Sequence, residues 1–573
     1  MSSVASLTAT ATVVAPRPRL LLVWLAALFA VFAACSPRDL WAPDEPRYGL
    51  VARHMAETGD VLVPRLNGLA FAEKPPAGFW AMAAAGAAFG GVDAVAARLG
   101  CALLAAAAVL TLGRLARRWF DDPELGDLAA ILFATTGLVL WNSSRAALDL
   151  PMTLFSLLAL EAGTVFVKRG TATAALATGM ALGFGVLVKG PHALYVPLGG
   201  VIGGCLAAET GRRLRDPRWL LTLLGLAGVV AAWLVPAIRA AGTEPTVDGT
   251  PYADRLLGQL ASRLSGEAEP HAHGFWYLVP IVLVAGLPWT PAWLAAMPRA
   301  LRPSEAPVAD RFGLGAACGA FVLSLVLLSI PGSKREVYLI PPLAMGAVLA
   351  AYALRRRAAD LGSRAVPTLV AALLSVLAVA LALAPFARHT GLASAGTLAE
   401  ALELLGAGRT PFVLSGAALL AGAGAWGAFS LRGRPADAAV VGAMLMGLVF
   451  VVLSVGVAPR FEVQKSFGPD AVAVLNDRPG ARFYEAGFTD PSVLWWFRRD
   501  RVGMLGDTAY AETAKVLDAE AAPAVVLVSG KFWRERGTNA PPEVRGALDR
   551  AVVLWRDQVG SREMLLLGNA PRP

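Results

Sequence analysis

Apolar windows near the length of a bilayer-crossing helix recur along the whole chain, and they restrict its fold more than any other feature. A spanning helix needs roughly 17–25 mostly apolar residues. Such windows lie near 20–36, 94–113, 126–143, 150–167, 172–189, 191–208, 218–238, 275–297, 312–331, 337–354, 365–386, 411–431 and 436–458. About thirteen spans are expected, and with them an α-helical polytopic membrane protein. Composition agrees: 16% of residues are charged, against about a quarter in soluble proteins. The net charge of +9 does not point to nucleic acid, because the basic residues sit in short clusters between apolar runs.

Those clusters test the topology. Arg114/Arg117/Arg118, Lys168/Arg169, Arg212/Arg213/Arg215, Arg299/Arg302, Arg355/Arg356/Arg357 and Arg432/Arg434 all fall on one side if residue 1 is cytoplasmic. An odd number of spans then puts the C-terminus outside. Residues 1–18 are Ser/Ala/Thr-rich and read as a disordered cytoplasmic N-terminus. The apolar run after Arg17 and Arg19 reads as a retained first helix, given its length and the spans that follow. Residues 19–459 form the expected membrane domain. Cys35, Cys101, Cys205 and Cys318 lie in or beside apolar runs without paired spacing, so no disulfide framework or zinc knuckle is suggested. From 460 to 573 charge density rises, and the runs Ala524–Val528 and Met564–Leu567 read as buried strands. A small α/β domain outside the membrane is expected there.

Residues 37–93 form a long external loop with the words Trp41-Ala-Pro-Asp-Glu-Pro-Arg-Tyr48, Val63-Pro-Arg-Leu-Asn-Gly68 and Phe71-Ala-Glu-Lys-Pro-Pro76. Charged groups beside a bilayer are costly unless paired or functional, so Asp44, Glu45, Arg47, Glu73 and Lys74 read as a reaction centre at the membrane surface. Pro46 suits a first helical turn, Tyr48, Val51, Ala52 and Met55 keep helical spacing, and Gly59 suits a C-terminal cap. A second apolar piece runs from about 77 to 90.

The words Asp44-Glu45-Pro46-Arg47-Tyr48, Pro64-Arg65-Leu66-Asn67-Gly68 and Glu73-Lys74-Pro75-Pro76 resemble the large polyprenyl-phosphate-sugar-dependent glycosyltransferases of the GT-C type. Leu148-Asp149-Leu150-Pro151, His271 before Phe275-Trp276-Tyr277, Gly286-Leu287-Pro288-Trp289, and Ser333-Lys334 before Tyr338-Leu339-Ile340-Pro341 follow in order. The likeness is greatest to the bacterial aminoarabinose transferase branch, which modifies lipid A, with protein mannosyltransferase-like families sharing many words. It covers roughly residues 20–355. It implies a GT-C fold in the bacterial inner membrane, periplasmic catalytic loops, and an inverting transfer of a sugar from undecaprenyl phosphate to lipid A or a similar envelope acceptor. The branch points to 4-amino-4-deoxy-L-arabinose, although no motif here isolates the sugar. Transfer to protein hydroxyls or another glycan is the second reading. A polyprenyl-lipid flippase is the third; no internal repeat of the transporter kind is evident.

The residues supply the chemistry. A lipid-carried donor leaves behind a phosphate with growing negative charge, and Arg47, Lys74 and Arg263 are candidates to stabilise it, with Lys334, Lys189 and Tyr338 beside them. Each basic group has an alternative role, snorkelling to lipid phosphate. Asp44 is the candidate central carboxylate and Asp149 a supporting acid; each could instead cap a helix. Glu73 and His271 invite a zinc reading, with His273 as a third ligand, although a closed structural site normally has four. No cofactor is obligatory. Trp276, Tyr277 and Trp289 read as an interfacial aromatic belt.

Overall fold

The computed structural model describes chiefly residues 18–265, 273–356 and most of 415–569. The expected span at 365–386 lies for the most part, and that at 411–431 in part, outside the described residues. Among the described residues the first element is α1 (Pro18–Ala34), followed by α2 (Asp44–Thr58), the hairpin β1 (Arg65–Leu66) and β2 (Leu69–Ala70), and α3 (Ala77–Phe89). Then come α4 (Ala94–Phe120), the bent pair α5 (Pro123–Ala134) and α6 (Gly137–Ser143), α7 (Asp149–Arg169) and α8 (Ala172–Lys189). Among the described residues seven helices are long and apolar enough to span a membrane, or nine if each of two bent pairs is one span. The windows at 20–36 and 191–208 hold shorter apolar helices, Leu20–Ala34 and Pro191–Ala207. Glu336–Arg356 is 89% buried and central, whereas Trp219–Ala241 is 22% buried and turns its leucines outward, as a lipid-facing helix does.

Two windows that read as continuous spans, 126–143 and 275–297, are broken. The pair α5 and α6 bends by 64°, and Phe275–Ala285 meets Thr290–Leu301 at 119°. The second break falls at Gly286-Leu287-Pro288-Trp289, where proline lacks an N–H and biases the preceding residue away from helix. The breaks dock on each other. Gly137 N donates to Leu287 O at 2.8 Å, and Trp289 Nε1 donates to Thr135 Oγ1 at 3.2 Å. Thr135 and Thr136 hydroxyls donate back to Ile131 O and Leu132 O, so the polar groups at the kink find partners inside the protein. Trp289, expected in an interfacial belt, is 1% exposed and is a core residue; Trp276, at 73%, keeps an exposed position. Close packing elsewhere needs small residues. Gly199 and Gly203 lie against Gly315 and Gly319, and a Cβ on Gly203 would stand 2.2 Å from Gly315 O.

Helix α2 starts and stops where its sequence says. Its C-cap Gly59 is left-handed at φ 74°, with its N–H on Met55 O, and Asn67-Gly68, both at positive φ, close the β1–β2 hairpin. The C-terminal domain is a five-stranded mixed sheet of β3 (Arg482–Ala486), β4 (Gly503–Met504), β5 (Ala524–Ser529), β6 (Val552–Val559) and β7 (Arg562–Gly568). The strand order is β4-β3-β5-β7-β6, with β3 parallel to β4 and β5, and β7 antiparallel to β5 and β6. The central β5 is a continuous buried run, as expected from its uninterrupted valines and leucine. The sheet domain seats on α2 and the hairpin. Asn67 exchanges two 2.9 Å hydrogen bonds with the Val502 backbone, and Trp495 Nε1 donates to Asp39 Oδ1 at 2.6 Å.

Candidate active site

The loop entering α2 is clamped before it presents any reactive group. Glu45 is 1% exposed; Arg38 donates to both of its oxygens at 3.0 and 3.2 Å, and the Trp41 and Ala146 N–H groups add bonds at 3.1 and 2.8 Å. Fully buried Arg98 donates to the carbonyls of Ala34, Ser36 and Arg38. Buried charges are tolerable when paired and saturated in this way. Burial opposes ionisation of Glu45, but Arg38 and Arg145 outweigh it and hold the carboxyl below its ordinary range.

With Glu45 turned inward, Asp44 faces a cleft shared with Tyr48, Asn142, Arg145, Asp149, Lys189 and Arg335. Its Oδ2 accepts from Arg335 Nη1 at 2.8 Å. Pro43, not Asp44, holds the N-cap position, and no side chain caps the helix; the capping reading of Asp44 therefore fails. Asp149 likewise begins α7 without capping it, and forms a buried ion pair with Lys189, the last residue of α8. The Lys189 ammonium lies 5.0 Å from the Tyr338 ring. Asn142 Oδ1 is buried without a partner among the described residues, an acceptor offered to the cleft. Burial pushes the Asp44 carboxyl up, yet the Arg335 charge and hydrogen bond, then Lys74 and Lys189, keep it below its ordinary value. Arg335 is raised, since Asp44 more than offsets its burial. Tyr48 is held neutral, well above its ordinary range, by burial and by Asp44. Of the carboxylates that line the cleft, Asp44 and Asp149 each stand beside a cation of the cleft, with Glu45 and Glu336 also on its wall.

The other candidates divide. Lys74 donates to Glu73 O at 3.1 Å, close enough for its charge to act on Asp44. Arg47 instead reaches the sheet domain, donating to Asp490 Oδ1 from Nε at 3.3 Å and Nη2 at 3.2 Å. Lys334 is 3% exposed, and its ammonium is spent on the carbonyls of His273 and Pro331. In this structure neither is a free phosphate donor; local carbonyls and a distant carboxylate captured them, which no spacing reveals. Glu73 is exposed and borders a mainly apolar pocket with Lys189, Pro191, Val230, Trp233 and Leu257. Arg263's side chain and His271 lie outside the described residues. His273 stacks on Tyr277 with centroids 3.8 Å apart. Among the described residues no group of three or more His, Cys, Asp or Glu could hold a metal ion. The sequence reading missed Arg335 and Arg145. Arg335 follows Lys334 in a word already singled out, and Arg145 precedes Asp149 by four positions, so both were within reach.

Residues 19–233 match the family model described as dolichyl-phosphate-mannose-protein mannosyltransferase. The chain is 32% identical over 379 residues to the undecaprenyl phosphate-alpha-4-amino-4-deoxy-L-arabinose arabinosyl transferase 2 of Sodalis glossinidius, covering 65% of this chain and 66% of that protein. It is 30% identical to the corresponding transferase of Edwardsiella ictaluri, covering 63% and 65%. The matched stretch therefore spans just under two thirds of these relatives' length. In fold it is similar to the crystal structure of ArnT from Cupriavidus metallidurans bound to undecaprenyl phosphate, with a TM-score of 0.71 at 19% identity over 96% of this chain and 98% of that one. The chain is thus similar in sequence to aminoarabinose transferases and shares with the ArnT structure the multi-pass helical fold of the GT-C type.

Proposed function

We propose that this chain is an inverting glycosyltransferase that moves a sugar from undecaprenyl phosphate to lipid A or a similar anionic envelope acceptor, at the periplasmic face of a bacterial inner membrane. One observation carries the reading: the Asp44–Arg335 pair and the Asp149–Lys189 pair share one cleft, and Lys189 also borders the apolar pocket beside Glu73. Lys189 thus stands between a wet, charged chamber and a greasy one, which suits a phosphate on a polyprenyl tail. In the step, an acceptor phosphate oxygen attacks the anomeric carbon as the bond to the donor phosphate oxygen breaks, and undecaprenyl phosphate leaves. Lys189, Arg335 and Lys74 offset the charge growing on that leaving group. An acceptor that is already an anion needs no strong base, and the ionised Asp44 serves to orient the acceptor and steady the positive sugar centre. The names of the relatives favour 4-amino-4-deoxy-L-arabinose as the sugar.

The mannosyltransferase family match supports a second reading, transfer to protein hydroxyls. Purified protein supplied with labelled undecaprenyl-phosphate-linked aminoarabinose separates the two. Label in the lipid A fraction supports the first reading, label in protein supports the second, and label that only changes leaflet sinks both in favour of a flippase. Zinc remains a subsidiary proposal resting on Glu73 and His271: a chelator should weaken donor binding in wild type and have no effect in His271→Ala.

A further inference from the structure

The C-terminal half of α2 faces a second cleft of about 800 Å³, between the β1–β2 hairpin, the α3–α4 turn and the sheet domain. Arg53, Arg65, Arg498, Arg499 and Arg501 line it, with His54, against two carboxylates, Glu57 and Asp93. The five arginines outnumber those two acids. Asp93 is occupied as the N-cap of α4, accepting from Ala96 N at 2.7 Å. Among the described residues no carboxylate pairs with Arg53, Arg498, Arg499 or Arg501, whereas Arg65 already has Glu244 and Asp60. Arg53 stands over Trp495, its guanidinium carbon 4.0 Å from the ring centroid, and donates to Val92 O. Arg499 donates from Nη2 to Leu475 O at 2.6 Å, and its Nε is buried without a partner among the described residues. Arg498 ends the short helix Val493–Phe497 in a left-handed cap conformation at φ 50°. Arg501 lies over the hairpin tip, its Nε 3.0 Å from where a Cβ on Gly68 would stand. A neighbouring cleft of about 670 Å³ shares Arg53 and Arg498, so the basic surface continues past them. Burial holds Arg53 below its ordinary value, and Arg498 adds repulsion against the pull of Glu57.

Like charges that outnumber their carboxylates are unfavourable until a further anion joins them. Forked guanidinium donors suit phosphate oxygens in particular. The cleft also carries Phe89, 69% exposed at the end of α3, which gives an apolar wall beside the arginines. A phosphorylated saccharide on a lipid matches that mixture better than a wholly polar ion. Placement adds a further point. Arg53 lies nine residues after Asp44 on one helix, roughly 13 Å at about 1.5 Å per residue.

We propose that this arginine cleft is a binding site, separate from the Asp44 cleft, for a second phosphate on the saccharide head group of the acceptor. The inference rests on the transferase reading for its purpose. α2 then measures the acceptor: one phosphate reacts beside Asp44 while the other is held past Arg53.

The test is binding to the full-length chain in zwitterionic nanodiscs, with bis-phosphorylated and monophosphorylated lipid A disaccharides as probes and inorganic pyrophosphate as competitor. Wild type is expected to prefer the bis-phosphorylated probe by about tenfold or more, the loss of one strong charged contact. Arg498→Gln/Arg501→Gln should erase that preference, raise KM for the acceptor and leave kcat unchanged. Arg498→Lys/Arg501→Lys should restore part of it, and Arg550→Gln, an exposed charge elsewhere on the sheet domain, should behave as wild type. Equal binding of both probes by wild type, or an unchanged preference in the double glutamine variant, overturns the proposal. Pyrophosphate that binds as tightly as the lipid probe also overturns it, since the cleft would then be a free-anion site. A wild-type chain that binds with the expected preference yet transfers no sugar defeats the transferase reading and leaves the site standing.

Discussion

Asp44 and Glu45 are adjacent in sequence, yet their carboxylates belong to opposite networks: Asp44 faces the open cleft and Arg335, and Glu45 is enclosed by Arg38, Trp41 N and Ala146 N. The pair should therefore separate chemistry from folding. Asp44→Asn is expected to keep near-wild-type melting while turnover falls about a hundredfold, the usual scale for a lost catalytic charge. Near-normal turnover in that variant would move the essential carboxylate to Asp149.

Glu45→Gln leaves Arg38 buried against a neutral partner. Breaking a buried ion pair from one side costs about 3–5 kcal/mol. Thermal unfolding in detergent should show a large drop for Glu45→Gln, and purified yield should fall with it. A melting curve matching wild type would mean that the clamp carries no stability.

The pH dependence follows from Asp44 and Arg335. The Asp44 carboxyl is depressed from its ordinary 3.8, so its contribution to stability is fully present above that value and is lost as pH falls through the still lower folded-state value. Turnover should accordingly show no acid limb from Asp44 above about pH 5. Arg335→Gln removes the leading opposing charge and leaves burial dominant, so an acid limb should enter the pH–rate profile at higher pH than in wild type. A profile that does not move would disconnect Arg335 from Asp44.

Much of this fold is legible in the chain, for identifiable reasons. Gly59 ends α2 and the apolar run at 524–528 becomes the central strand because both signals are local. The breaks at Thr135–Thr136 and Gly286–Trp289 were hidden, since hydropathy alone does not register a bend whose polar groups are satisfied by another broken helix. The site was half legible. Asp44 and Asp149 meet in one cleft, whereas Arg47 and Lys334 are taken up by Asp490 and by backbone carbonyls. Long-range pairing of this kind leaves no periodicity to read.

Docking of the sheet domain can be tested at the hairpin. Asn67 supplies both a left-handed turn residue and the two bonds to Val502. Asn67→Gly keeps the turn and removes the bonds, so limited proteolysis should cut near residues 498–502 faster, with the membrane helices unaffected. An unchanged cleavage rate would show that the other contacts suffice.

The glycine seam offers a packing test. Gly203→Leu places a side chain where Gly315 O lies 2.2 Å from the first added carbon. Overpacking of this kind costs about 1–3 kcal/mol, occasionally more. A drop in melting temperature is expected for Gly203→Leu and not for Gly211→Ala, which would meet nothing within 4 Å. Equal melting for the two would show that the helices separate freely.

The mutual docking of the two broken helices also sets a schedule for synthesis. Trp289 comes 154 residues after Thr135. At about 5–20 residues per second, the ribosome takes roughly ten to thirty seconds to cover that distance. For that interval the first kink must wait, its Gly137 N–H tended by water, lipid head groups or the insertion machinery. The nascent chain is thus most vulnerable to misassembly between these two moments.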